Sequence, residues 1–136
     1  MAFVGLANDD AERTVTLAAV AGQETGFFSA RPRLTWADTD SSVTGTAIRT
    51  GEIQVNQDYA TNPNVAQWRE EALKRGFQSS ISLPIRDGTR VIGALGLTAA
   101  ESHAFDAQEV GLLATLADDV SYGVATLRMR QRGDGD

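Results

Sequence analysis

Three serines, Ser79, Ser80 and Ser82, open the stretch Ser79 to Ala99 (SSISLPIRDGTRVIGALGLTA), which otherwise reads as strongly apolar. Small hydroxyls beside Gly93 would supply polar handles to a small-molecule cavity, or would be solvated at a sheet edge. They do not suit hydrolysis, because a serine nucleophile needs a sharp strand-to-helix turn with a histidine and a carboxylate, and these serines lie in or beside a strand. His103 is the only histidine. It stands in a loop without a cluster of further ligands, so it reads as structural or solvated, not as a metal ligand. The chain has no cysteine, which excludes disulfides, thiolate catalysis, thiolate metal sites and thioether attachment of a chromophore. Asp58-Tyr59 follows a short strand where a lid loop would begin, and Asp58 is either a turn former or a ligand contact. Trp36, Trp68 and Phe77 would wall a pocket or fill the core. Gly93 and Gly96 sit inside a strand with no basic residue following, so they form no phosphate loop. They mark close approach of another backbone, or room for a ligand.

These residues need a scaffold, and the chain is long enough to build one. At 136 residues, with 42% hydrophobic and 22% charged residues, it fits one globular domain with a real core. The net charge of -6 repels phosphate backbones and argues against nucleic-acid binding. No continuous apolar run approaches the roughly 18 residues of a membrane span, and no signal peptide begins at Met1, so a soluble, cytoplasmic protein is expected.

The hairpin Ser79 to Ala99 is the strongest local feature. With Asp87-Gly88 as the two central turn residues, Arg86 faces Thr89, Leu83 faces Ile92 and Ile81 faces Ala94. One face then carries Ile81, Leu83, Ile85, Ile92 and Ala94. The other carries Ser80, Ser82, Pro84, Val91, Gly93, Leu95 and Leu97, and both need cover. Met1 to Leu6 and Thr14 to Ala21 read as adjacent antiparallel strands. Gly22 to Ser42 is loop, with Gly26 and Pro32 as breakers and Phe27, Phe28, Leu34 and Trp36 pinning it to the core. Thr44 to Gly51 reads as a short helix with Thr44 as its cap, and Ile53 to Asn56 as an edge strand. Asn62 caps a helix ending at Gly76, with Pro63 in its first turn and Glu70–Lys74 and Glu71–Arg75 as i,i+4 pairs. Pro84 should sit where the short neighbouring strand has run out.

Phe105 to Val110 reads as a capping box with a hydrophobic staple, in which Asp106 caps and Glu109 reaches back. The helix should run to about Arg130, and Gly133 to Asp136 should be a disordered tail behind one domain of residues 1–132. Val110, Leu113, Ala117, Val120, Val124 and Leu127 are spaced three, four, three, four, three, and Leu112 and Leu116 widen the arc. The pattern is shorter than the roughly three to four heptads of a coiled coil. It still offers more apolar surface than one neighbour needs. Asp118-Asp119 and Arg128, Arg130 and Arg132 read as solvated helix faces.

These elements, in this order, resemble a GAF domain, the small-molecule sensor module of signalling proteins. The likeness rests on Thr44 to Gly51 (TGTAIRTG), Val55 to Asp58 (VNQD), Trp68 to Ser80 (WREEALKRGFQSS), Leu83-Pro84-Ile85, Gly93-Ala94-Leu95, Phe105 with Glu109, and Leu116 to Val124 (LADDVSYGV). It covers about Ala2 to Arg130 and is most similar to members beside PAS modules and diguanylate cyclase, cyclic-di-GMP phosphodiesterase or histidine kinase outputs.

The resemblance implies an α+β fold: an antiparallel sheet of five or six strands, a long C-terminal helix on one face, and a pocket under short helices and loops on the other. The family's N-terminal helix is missing before Met1, so the chain is expected to be a domain cut from a longer protein. The loop from Trp36 to Gly45 is short for this branch. The Asn-Lys…Phe…Asp-Glu signature of cyclic-nucleotide binders is absent. Bilin-binding and methionine-sulfoxide-reducing members depend on cysteine, and haem binders use a pocket histidine, where His103 does not lie.

The expected function is non-catalytic sensing of an unidentified small molecule, with no cofactor specified. Trp36, Asp58, Tyr59, Trp68, Phe77, Ser80 and Ser82 are the candidate contacts. Val110, Leu113, Ala117, Val120, Val124 and Leu127 are the candidate homodimer seam and relay to an output domain. The alternative is a structural spacer whose pocket is filled by its own side chains. The Ile81, Leu83, Ile85 and Ile92 face is expected to take the final helix, and the Ser80, Ser82, Gly93 and Leu95 face the pocket.

Overall fold

The computed structural model describes residues 1–22, 27 and 34–134, with side chains to Gln131; Gly26, Phe28, Pro32, Gly135 and Asp136 lie outside the described residues. Strands β1 (Ala2–Ala7), β2 (Val15–Ala21), β3 (Gln54–Asn56), β4 (Ser79–Asp87) and β5 (Arg90–Ala99) form one sheet in the order β2-β1-β5-β4-β3. Every neighbouring pair is antiparallel. Helices α1 (Val43–Thr50) and α2 (Arg69–Lys74), the latter preceded by a 3₁₀ turn over Pro63–Trp68, and α3 (Ala107–Asp134) complete the fold.

The hairpin register differs from the expected one. Asp87 pairs with Arg90, so the central turn residues are Gly88 and Thr89, and Gly88 takes the positive φ of 64°. Glycine accepts that conformation without the Cβ penalty that Asp87 would carry in the same place. The ladder then slips between Ile85 and Arg86, with Ile85 opposite Gly93 and Arg86 opposite Val91, so Ile92 is the extra residue of a bulge. Leu83 therefore faces Leu95, Ile81 faces Leu97, and Ser82 and Ser80 face Gly96 and Thr98. Leu95 and Leu97 move from the expected pocket face to the helix face, and Gly93 moves with them.

That helix face is the main core. Ile81, Leu83 and Ile85 are fully buried and pack with Ile92, Leu95, Phe105, Leu113 and Ala117. Burial of each such aliphatic side chain is worth about 1.5–3 kcal/mol, so this cluster is a large contribution to the stability of the domain. The glycines of β5 let β1 close in. A Cβ on Gly93 would strike the Gly5 carbonyl oxygen, and one on Gly96 the Phe3 ring, so both mark close approach. Pro84 lies beyond the end of β3, whose pairing stops at Gln54 opposite Ser82.

Local signals are partly as expected. Ser42, not Thr44, caps α1: its hydroxyl accepts from the Gly45 amide at 3.0 Å, and Gly51 ends the helix at φ 73°. Asn62 caps as expected, accepting from the Asn64 amide at 3.0 Å. The single helix expected over Asn62 to Gly76 breaks at Val65 (φ -111°, ψ 18°) into the 3₁₀ turn and α2. Of the two i,i+4 pairs, Glu71–Arg75 forms an ion pair, and Glu70–Lys74 makes none among the described residues. Asp106 caps α3, accepting from the Glu109 amide at 2.8 Å.

Helix α3 continues past Arg130 and includes Gly133 and Asp134, which the tail was expected to contain. Gln131 and Arg132 are good helix formers and no proline stops the run. Counting continuous apolar runs also understates α3. Within Ala107–Gln131 an 18-residue window reaches a mean hydropathy of 1.2, enough by length and composition alone for a membrane span. Asp118 and Asp119 stand near the middle of that stretch, where a carboxylate in lipid costs about 2.5–3.5 kcal/mol.

Two substitutions test this packing. Leu83→Ala is expected to lower the unfolding free energy by about 2–5 kcal/mol in urea titration. Gly93→Ala should lower Tm more than Gly96→Ala, because an aromatic ring can swing aside and a carbonyl held in a ladder cannot.

Candidate functional site

The second face of the hairpin carries a small cavity. Ser80 and Ser82 of β4 and Thr98 of β5 form its floor, Thr44 of α1 closes one side, Phe3 of β1 another, and Tyr59, Val65 and Trp68 cover it. Trp68, Tyr59 and Val65 belong to a second buried cluster with Phe27, Ala72 and Phe77, so the cover is itself held by packing. The free volume is only about 50 Å³. A water molecule occupies about 30 Å³ in the liquid, so the space suits one or two waters or a very small molecule.

The floor is polar but neutral. The Thr44 and Ser82 hydroxyls are 2.6 Å apart and hydrogen-bonded, both buried. Asn56, fully buried on the edge strand, donates from Nδ2 to Ser80 Oγ at 3.3 Å. Its Oδ1 accepts from Asn62 Nδ2 at 3.0 Å, which ties the floor to the cap of the 3₁₀ turn. Ser79 turns away and donates to the Glu101 carbonyl at 2.6 Å. No side chain that carries a charge lines the cavity among the described residues. This arrangement can hydrogen-bond an uncharged group from below and stack or exclude water from above. It offers no nucleophile-base pair.

The start of α1, which brings Thr44 to the floor, is set by the buried Asp40. Its carboxylate accepts from the Thr35 amide at 3.0 Å, the Thr35 hydroxyl at 3.1 Å and the Ser42 amide at 2.8 Å. Arg49 then donates to the Ala37 carbonyl at 2.7 Å, locking the loop onto the helix it precedes.

Of the seven candidate contacts, Tyr59, Trp68, Ser80 and Ser82 meet at this cavity. Asp58, Phe77 and Trp36 do not. Asp58 is a turn former: Oδ1 accepts from the Ala60 amide at 3.0 Å and Oδ2 from the Thr61 hydroxyl at 3.2 Å. Phe77 packs edge-on against Phe27, with ring centroids 5.5 Å apart, in the cluster behind the cover. Trp36 donates from Nε1 to the Asn8 carbonyl at 2.9 Å under the Arg13 guanidinium, and faces a different cavity. Thr44, Thr98, Phe3 and Val65 are among the lining residues that sequence reasoning missed. Thr44 looks like a helix cap, and Thr98 joins Ser80 only through the bulge. The β1–β5 pairing that places Phe3 over Gly96 has no local signal.

The proposed helix seam also differs. Leu113 and Ala117 are buried, and Val110, Val120 and Val124 are half-buried, against the domain's own sheet. Only Leu127 of the six is exposed. A residue pair three and four apart marks a helix face without saying what covers it, and here the sheet does. The outward apolar residues are Leu112 (64% exposed), Leu116 (45%), Tyr122 and Met129.

The Asp10 carboxyl is displaced from its usual range. Asp10, in the β1–β2 turn, is held below it by hydrogen bonds from the Thr14 hydroxyl and amide. Its contribution to stability is present above the ordinary carboxylate range and is lost as the pH falls through the lowered value. It is not among the residues that line the cavity.

A twisted five-stranded antiparallel sheet with a long helix on one face and a covered cavity on the other defines an α+β domain built around a single pocket wall. The chain belongs to the GAF domain family, whose model matches residues 1–125. No curated protein sequence matches the chain significantly. Solved structures share the fold. A domain assigned to a two-component sensor histidine kinase of Sinorhizobium meliloti 1021 is 16% identical, with a TM-score of 0.76 over 98% of this chain and 83% of that one. Type II free methionine-R-sulfoxide reductase of Thermoplasma acidophilum is 19% identical, with a TM-score of 0.68 over 88% of this chain and 74% of that one. The GAF domain of an Acinetobacter phosphoenolpyruvate-protein phosphotransferase is 15% identical, with a TM-score of 0.69 over 96% and 73%. GAF domains are commonly sensory or regulatory modules of signalling proteins, and the fold also serves an enzyme.

The Thr44–Ser82 bond provides a double-mutant test. Ser82→Ala alone should cost about 1–3 kcal/mol because it strands a buried hydroxyl, whereas Ser82→Ala with Thr44→Val should recover most of that loss. Strictly additive costs would contradict the pairing.

Proposed function

We propose that this domain is a non-catalytic sensory module of a multidomain, cytoplasmic signal-transduction protein, in which a small uncharged molecule occupies the hydroxyl-floored cavity and biases α3 toward an output domain. The observation that carries this reading is the cavity lining. Hydroxyls of Thr44, Ser80, Ser82 and Thr98 face Phe3, Tyr59 and Trp68, and no charged side chain lines the cavity among the described residues. Such a site favours a neutral ligand with one or two hydrogen-bonding groups and disfavours carboxylates and phosphates, which would be desolvated without a counter-charge. The absence of cysteine removes thiol chemistry from this chain and supports a non-catalytic role.

Binding would act by population shift. A ligand larger than the present space must displace part of the side-chain filling, and the arrangement that accepts it gains in proportion to its differential affinity. The floor and the α3 bed are opposite faces of the same strands, so a change in one is felt by the other. In this reading the outer side of α3, with Leu112, Leu116 and Leu127, takes a second copy of the chain.

A second reading has its own support. The free volume of about 50 Å³ fits a structural and dimerisation module whose cavity stays filled by Phe3, Tyr59 and Trp68. A thermal-shift screen of small neutral amides, alcohols and heterocycles separates the two. Sensing predicts a compound that raises Tm in the native chain and loses its effect in Thr44→Val. If no compound raises Tm, and native mass spectrometry finds nothing carried by the purified chain, the filled-cavity reading stands. For the dimer, Leu116→Glu should convert a sedimenting dimer to monomer without lowering Tm.

A further inference from the structure

A second, larger cavity of about 410 Å³ opens at the end of the sheet where β1 finishes and β5 begins. Ala7, Trp36, Ile48 and Val91 give it apolar walls, and Arg90 and Arg128 reach it from the hairpin and from α3. It shares no lining residue with the hydroxyl-floored cavity and has about eight times its volume, in the size range of small-molecule sites. Its chemistry is also opposite. Among the described residues its lining includes two arginines and one carboxylate, Asp9, in a chain whose net charge is -6.

The arginines are available. Among the described residues neither Arg90 nor Arg128 has a hydrogen-bond or ion-pair partner, although Arg128 is only partly exposed. The other arginines at this end are engaged: Arg86 donates to the Gly51 carbonyl, and Arg13 lies over the Trp36 ring, 4.8 Å from its centroid. Trp36 is fixed by its own indole bond to the Asn8 carbonyl, so one wall is preorganised.

We propose that this cavity is an anion site, taking a small molecule with a carboxylate or phosphate group held by the Arg90 and Arg128 forks and an apolar part against Trp36 and Ile48. Guanidinium groups bind such oxyanions through paired, charge-assisted hydrogen bonds. The site joins three elements, since Trp36 belongs to the loop before α1, Arg90 to the hairpin and Arg128 to the later turns of α3. An occupant would therefore fasten the exit end of α3 to the sheet. The site stands independently of the sensing role assigned to the hydroxyl-floored cavity.

The test is an amide NMR titration at constant ionic strength with citrate, with inorganic phosphate, and with glycerol as a neutral control. Saturable shifts are expected at the Trp36 indole and at the Val91 and Arg128 amides with one or both anions, and none with glycerol. Response to citrate alone assigns a carboxylate ligand, and response to phosphate alone a phosphate ester. Arg128→Gln and Arg90→Gln should each weaken binding about tenfold or more, Arg128→Lys should weaken it less, and Thr44→Val should leave it unchanged. Shifts that stay linear with both anions, or that persist equally in Arg128→Gln, would overturn the site.

Discussion

The register of the β4–β5 ladder is the constraint on which the other parts depend. Side chains alternate across a sheet, so a slip of one residue transfers a whole set from one face to the other. The bulge at Ile92 places Leu95 beside Leu83 under α3, and Gly96 and Thr98 beside Ser82 and Ser80 under the cavity. The amide of Arg86, next to the bulge, donates to Ser121 of α3 at 3.1 Å, and the same hydroxyl donates to the Ala117 carbonyl at 2.8 Å. The long helix is thus seated against the irregularity that sets the faces.

From that register the two sides take different chemistry. The α3 side is aliphatic and close-packed, and its stability comes from burial. On the cavity side the short hydroxyls are paired, Thr44 with Ser82, Ser80 with Asn56 and Thr98 with the Met1 carbonyl, so the cost of burying them is limited by pairing and not by charge. A small cavity with no charged side chain among its described lining residues and a larger one lined by two arginines both draw on β1 and β5, and α3 packs on the same sheet. Helix α3 is also two-sided, with Leu113 and Ala117 buried in the sheet and Leu112 and Leu116 exposed to solvent. A displacement of the wall moves a helix that keeps a free apolar side.

Much of this was legible in the chain. Periodicity and punctuation reveal all five strands, the cap at Asn62, the turn at Gly51, the cap at Asp106 and the placement of Pro84 beyond β3. The aliphatic Ile81, Leu83 and Ile85 face correctly takes α3, and the Ser80 and Ser82 face correctly takes the cavity. What failed depends on information that is not local. Whether Gly88 is the first or second turn residue moves the register, and a bulge adds no composition of its own, so Leu95 and Thr98 exchange faces. Asp58 and Trp36 have residue types suited to ligand contact, but hydrogen bonds to neighbouring backbone claim both. The heptad on α3 is real, and nothing in its spacing says whether a sheet or a second helix covers it.

The most direct test of this account is the backbone NOE pattern across the hairpin. The bulged register predicts cross-strand contacts joining Ser82 to Gly96, Leu83 to Leu95 and Pro84 to Ala94. Contacts joining Leu83 to Ile92 and Ile81 to Ala94 would contradict it, because they would return Leu95 to the face of Ser82 and dissolve the division between cavity and helix bed.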